Sequence, residues 1–161
     1  MATPTYTLID SVTLTSTAAS VTFSSITQDY RDLVLSYQGS TTSTTSIFSV
    51  VLNSDTGANY SRVWMLGRAG AATSGSGTAD SSYRIGTIGT GLASIIVQIM
   101  DYSATDKHKT ALVRHDSAAE DRVYAFAARW GDTSAISSIL VNCESDTFTA
   151  GSTFYLYGIE A

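Results

Sequence analysis

The chain has 161 residues, of which 43% are hydrophobic and only 14% charged, and its formal net charge is -5. That length suits a single core-bearing domain, 1–161, and the hydrophobic fraction excludes wholesale disorder. The charged fraction lies well below the roughly 25% of ordinary globular proteins, so surface polarity falls to Ser, Thr and Asn. The acidic balance argues against a nucleic-acid partner, whose phosphates are met by Lys and Arg.

The opening MATPTYTLID has neither the basic segment nor the continuous apolar run of a secretion signal. The longest apolar stretch, 95–100, is interrupted by Gln98 and is far short of the roughly 20 residues a membrane helix needs. Synthesis in a cytoplasm and no membrane partner are therefore expected. That does not fix where the protein works, because a particle assembled in a cytoplasm later meets the outside without any secretion signal.

From there the chain reads as a series of short strands rich in Val, Ile, Thr, Tyr and Phe, with turn-forming clusters between them. The expected strands are 7–14, 19–24, 32–38, 46–53, 61–67, 82–87, 93–102, 109–115, 122–130, 137–142 and 153–159. Leu33, Leu35 and Tyr37 share one face of their strand, as do Phe48, Val50 and Leu52, and the period of two assigns both sets to the interior. Turns are expected at SDTGAN, SGSGTAD and GTGL, where Gly takes positive φ and Asx side chains close turns on their own backbone. Residues 36–46 are a loop candidate, and 69–80, small, polar and Gly-rich, form a long loop or a hairpin tip. SAAEDRVYAFAARW favours helix by its alanines. It is read instead as a turn and a strand, because Tyr124, Phe126 and Trp130 alternate with Val123, Ala125 and Ala127. The sum is an all-β fold, an antiparallel β-sandwich of jelly-roll type.

No motif names a reaction, and no catalytic residue, cofactor or metal is expected. Gly86, Gly89 and Gly91 fit neither GxGxxG nor GxxxxGK[ST], and a strand follows them where a phosphate loop requires a helix; a tight turn is the reading. His108 and His115 are an odd number of residues apart, so in one straight strand they face opposite sides, which argues against their sharing a metal. HDSAAED has acids without the spacing of a calcium loop and reads as a solvated turn. Cys143, the one cysteine, lies in the apolar run ISSILVNC and reads as a small packed hydrophobe or a reduced edge thiol.

Strand polarity carries more information. Ile95, Val97 and Ile99 occupy one face of their strand, yet Ile96 and Met100 occupy the other. The last strand repeats this, with Phe154 and Leu156 set against Tyr155, Tyr157 and Ile159. A sandwich gives each sheet one inner face, so the second apolar set needs a cover. Subunit contact through Ile96, Met100, Tyr155, Tyr157 and Ile159 is the expectation, since tyrosine suits interfaces; a covering loop from the same chain is the alternative.

The ending AGSTFYLYGIEA resembles the closing strand of small β-sandwich virion structural proteins of tailed bacteriophages. ITQDYRDLVLSYQGS, NSDTGANYS and VQIMDYSATDKHKTALVR are similar to other pieces of such proteins, in the same order along the chain. The resemblance implies a non-enzymatic virion component, either a capsid decoration (cement) protein or a tail-fibre or appendage module. It further implies a homotrimer whose partner is the major capsid protein, located on the capsid exterior. A short chain without repeats or a coiled-coil shaft favours the decoration protein. The alternative is a host-recognition or carbohydrate-binding module that uses exposed aromatics such as Trp64 or Trp130.

Overall fold

The computed structural model describes residues 5–118 and 121–160. Twelve strands and no helix are found among them: β1 (Tyr6–Thr13), β2 (Ser20–Phe23), β3 (Asp32–Gly39), β4 (Ser46–Leu52), β5 (Tyr60–Arg68), β6 (Ala71–Asp80), β7 (Tyr83–Ile88), β8 (Ala93–Met100), β9 (Lys109–Ser117), β10 (Arg122–Trp130), β11 (Ile139–Glu144) and β12 (Thr153–Ile159). They form two antiparallel sheets of unequal width. The wide sheet runs β1-β12-β3-β8-β9-β10-β5-β6 and the narrow one β2-β11-β4-β7. The architecture is an antiparallel β-sandwich of jelly-roll type, as the strand pattern implied.

The core between the sheets is assembled by the period of two. Leu33, Leu35 and Tyr37 of β3, Ile95, Val97 and Ile99 of β8, and Phe154 and Leu156 of β12 face Phe48, Val50 and Leu52 of β4 and Ile139 and Val141 of β11, all buried. Aromatic rings dominate it. Tyr37 meets Phe48, Phe148 and Phe154 at centroid distances of 5.0, 5.4 and 5.0 Å, in the tilted arrangements that ring quadrupoles prefer. Phe148 belongs to no strand, but its backbone bridges Ala18 and Thr41 and its ring closes that end of the sandwich. Tyr60, Tyr83 and Trp130 form a second aromatic group.

The SDTGAN turn locks this second group in place. Asp55 accepts hydrogen bonds from the Gly57 amide at 2.8 Å, the Asn59 side-chain amide at 2.8 Å and the Trp130 indole at 2.6 Å. Asn59 and Trp130 hold the carboxyl below its ordinary range. Trp130 is 1% exposed, so the expectation of an exposed aromatic at that position is corrected: its polar edge is spent on Asp55 and its rings on the core.

Three sequence expectations need revision. Residues 69–80, expected as a loop with a turn at SGSGTAD, are largely the ten-residue strand β6, paired along its length with β5. The loop expected over 36–46 is shorter, since β3 continues to Gly39 and β4 begins at Ser46. Gly86 sits inside β7 at φ 132, beside a register shift between Phe48 and Ser49, and not in a tight turn. A β-carbon there would stand 2.8 Å from His115 Nδ1. The alanine-rich segment is strand β10, with Tyr124, Phe126, Ala128 and Trp130 inward, because cross-strand pairing and one-sided burial outweigh helix propensity.

Two substitutions check this account. Leu156→Ala removes a fully buried side chain and is expected to cost about 2–5 kcal/mol in urea unfolding. Asp55→Ala leaves the Trp130 indole without its acceptor and is expected to cost roughly 1–3 kcal/mol.

Candidate functional site

The face of the wide sheet turned away from the core is the most distinctive surface of the molecule. Strand register places Leu8, Tyr157, Val34, Gln98, Leu112, Ala127 and Val63 opposite one another in turn across seven strands. The adjoining row is Tyr155, Ser36, Ile96, Arg114, Ala125 and Met65. Apolar side chains along these rows stand well out of the core: Met65 is 66% exposed, Val63 55%, Leu112 52% and Ile96 45%, and Val123 beside them is 64% exposed. Single exposed hydrophobes are ordinary, but a contiguous field of them is the mark of an interaction surface.

This face is furrowed. Ala125 and Ala127 leave β10 low between Leu112 and Arg114 on one side and Val63 and Met65 on the other. A second depression, of about 620 Å³, is lined by Tyr6, Val34, Ser36, Ile96, Leu112 and Tyr157. Tyr6 meets Tyr157 edge-on at 6.4 Å, and Tyr155 stacks beside Tyr157 at 6.2 Å. Arg114 is exposed in this field and has no ion-pair or hydrogen-bond partner among the described residues.

All five residues expected at an interface lie on this face. Ile96 is exposed, and Met100, Tyr155, Tyr157 and Ile159 are half-buried, while their neighbours Ile95, Ile99, Phe154 and Leu156 point into the core. The sequence reading missed Tyr6, Leu8, Val63, Met65 and Leu112. The same two-sided apolarity was there to be read in VWML and ALVRH, where Val63 and Met65 oppose Trp64 and Leu66, and Leu112 opposes Ala111 and Val113.

The groups with chemistry to offer are otherwise engaged. Cys143 is buried, its Sγ 2.8 Å from Ser46 Oγ, and burial pushes the thiol up. His108 lies outside any strand and is exposed, so the two-strand-face argument does not apply to it. His115 is buried on the inner face of β9, stacked on Tyr124 at 4.9 Å with Nδ1 3.4 Å from the Ile85 carbonyl. Lys109 is buried too, and its Nζ donates to the carbonyls of Lys107 at 3.0 Å and Thr133 at 3.1 Å. No group of three His, Cys, Asp or Glu stands close enough to hold a metal among the described residues. The solvated turn expected at HDSAAED is corrected in its first part, since His115, Asp116 and Ser117 end strand β9 with His115 and Ser117 buried, and 119–120 lie outside the described residues.

No family model and no curated protein sequence matches the chain. Solved structures do. An exo-inulinase from Aspergillus awamori aligns with a TM-score of 0.50 at 10% identity over 96% of this chain and 29% of that one. This chain therefore spans less than a third of the inulinase. Weaker likenesses are the galectin LEC-6 of Caenorhabditis elegans (TM-score 0.38, 8% identity, 100% of this chain and 99% of that one) and the alginate lyase Aly36B (TM-score 0.37, 14% identity, 92% and 77%). At 10% identity the likeness to the inulinase is one of fold alone. The class is that of the jelly-roll β-sandwiches.

Burial pulls the His115 imidazole down to about 4, a shift the Ile85 carbonyl only partly opposes; an unperturbed histidine titrates near 6.5. The unfolded chain therefore takes up a proton below about pH 6.5 that the folded one refuses until about pH 4. The stability is complete above that window and falls by about 3 kcal/mol as pH drops through it. His115→Gln is expected to abolish that part of the pH slope in urea unfolding; an unchanged slope would assign it to other groups.

Proposed function

We propose that this protein is a non-enzymatic virion structural protein of a tailed bacteriophage, a capsid decoration or cement protein that works as a homotrimer on the major capsid protein. The observation that carries the reading is the outer face of the wide sheet. It presents apolar side chains from β1, β12, β8, β9, β10 and β5 together, a contiguous field of the kind that accompanies interaction sites. Tyr6, Tyr155 and Tyr157 put apolar rings with polar tips at one flank, a composition suited to subunit contacts. The phage assignment and the trimer rest on the C-terminal resemblance. The non-enzymatic reading is supported by His115, Cys143 and Lys109, each buried and committed to packing or to backbone carbonyls or, for Cys143, to Ser46.

A cement protein binds the assembled shell and not its separated subunits, so it stabilises the shell by mass action. The contacts of one trimer reinforce one another through effective concentration. Particles lacking the protein are expected to assemble with normal geometry and release DNA at lower temperature, and added protein to restore the wild-type release temperature. Unchanged heat release with lost adsorption to host cells would instead make it a tail-appendage recognition module.

The assembly face is tested on the isolated protein. Wild type is expected to scatter light as an oligomer at micromolar concentration. Leu112→Asp, on an outward side chain, is expected to yield monomers that keep the wild-type far-ultraviolet circular dichroism and still unfold cooperatively in urea, less the concentration-dependent stability that association supplies. A wild-type monomer would remove the argument from this face.

A further inference from the structure

The mismatch in sheet width leaves a second opening, on the face opposite the assembly surface. β7 is the last strand of the narrow sheet and lies over β9, β10 and β5. At its border Trp64, Tyr124 and Phe126 line a cleft of about 180 Å³, with Arg62 and Arg84 beside them.

We propose that this cleft binds one ring of a neutral saccharide, its C–H face laid on the Trp64 indole and its hydroxyls on the two arginine–carboxylate pairs. Three observations lead there. Trp64 is half-buried and lines the cleft. Its ring lies across Gly75, its partner on β6, where a β-carbon would overlap the indole. The aromatic surface is thus held in place before any ligand arrives, which reduces the ordering cost of binding. An indole face is the negative part of the ring's quadrupole and attracts the weakly positive C–H edge of a sugar.

The rim supplies the polar complement. Arg84 Nε and Nη2 donate to Glu144 Oε1 and Oε2 at 3.2 and 3.0 Å, and their side chains are 38% and 30% exposed. Arg62 Nη1 is paired with Asp80 Oδ2. A guanidinium carries five N–H donors and a carboxylate about four acceptor positions, so each pair retains free donors beside free acceptors. A hydroxyl donates and accepts at once, and adjacent hydroxyls match such a rim. The charges select against the other classes. Each lining guanidinium is already neutralised by its carboxylate partner, so the rim has no net charge to draw an anionic sugar or a nucleotide phosphate; a cationic ligand meets Arg62 and Arg84; a purely apolar one strips water from both pairs without replacing it. The site shares no residue with the outward-facing side chains of the assembly surface, so either reading can fail without the other.

The test uses the full chain, labelled with 15N at its tryptophans and titrated with maltohexaose, cellohexaose, laminarihexaose and mannohexaose. Hexagalacturonic acid and hexaglucosamine serve as charged controls. Trp130, buried and bound to Asp55, is the internal reference. At least one neutral hexasaccharide is expected to move the Trp64 indole resonance, leave Trp130 in place and saturate with a Kd of about 1 mM or tighter. By calorimetry, Trp64→Ala and Arg84→Ala are each expected to weaken that binding at least about tenfold. Arg84, at the exposed rim, keeps the test valid should the tryptophan variant misfold. The proposal is overturned if no neutral hexasaccharide shifts Trp64, if a charged one binds more tightly than all of them, or if binding survives Arg84→Ala undiminished.

Discussion

A four-stranded sheet cannot cover an eight-stranded one, and most of what is unusual in this molecule follows from that inequality. Where the sheets overlap, the core is conventional, with aliphatic side chains and interlocked aromatic rings buried on both sides. Past β7, the wide sheet must manage its inner face without a partner. It does so by laying Trp64 over Gly75 and Arg62 over Gly77, with Asp80 closing the arginine. Long side chains on β5 and absent ones on β6 thus form a thin local cover, which keeps the hairpin ordered although most of β6 faces water.

That arrangement explains what could and could not be read from the sequence. Strands with one buried face announce themselves by alternation, and ten of the twelve fall close to their expected limits for that reason, β10 included despite its alanines. β11 begins later than expected, at Ile139, because Ser137 and Ser138 donate their amides to Asn53 Oδ1 instead of joining the ladder. β6 gave no such signal. AATSGSGTAD buries almost nothing of its own, and its glycines are required by Trp64 and Arg62 on a neighbouring strand, a tertiary demand that local composition reports only as flexibility. The two-faced apolarity of β8 and β12 was legible because large apolar residues, Ile96 and Met100 on β8 and Tyr155, Tyr157 and Ile159 on β12, stand on the face opposite the core set. On β9 and β5 the outward Leu112, Val63 and Met65 are diluted by Arg114 and Arg62, and the field they complete appears only when register sets them side by side. Trp130 was misjudged because nothing local indicates that Asp55, far away in sequence, accepts from its indole.

Edges as well as faces bear on how such a molecule associates. An open sheet edge invites another chain to add a strand, and all four edges here are blunted. β1 carries a register shift between Leu8 and Asp10, and the β5–β6 pair carries another between Tyr60 and Arg62, where Ala79 takes φ 58. β7 is interrupted beside Gly86, and β2 is only four residues long. Bulges and short strands interrupt the regular row of unpaired donors and acceptors that strand addition requires.

Under the function proposed above, association is directed away from the edges and onto the faces. A ladder built edge to edge has no natural stopping point, whereas contact through a furrowed apolar face is set by shape and can close into a finite assembly. The outer face has the relief for it, with ridges at Leu112 and Met65 flanking the low strand of Ala125 and Ala127. It also has few charges to desolvate, since most outward positions of the two central rows are apolar or uncharged and Arg114 is the exception. An uncompensated arginine in a buried apolar contact would be costly. A face-to-face contact of the kind proposed above must therefore leave Arg114 at a wet margin or meet it with an acid, and that single residue would constrain its geometry more tightly than the hydrophobic residues around it.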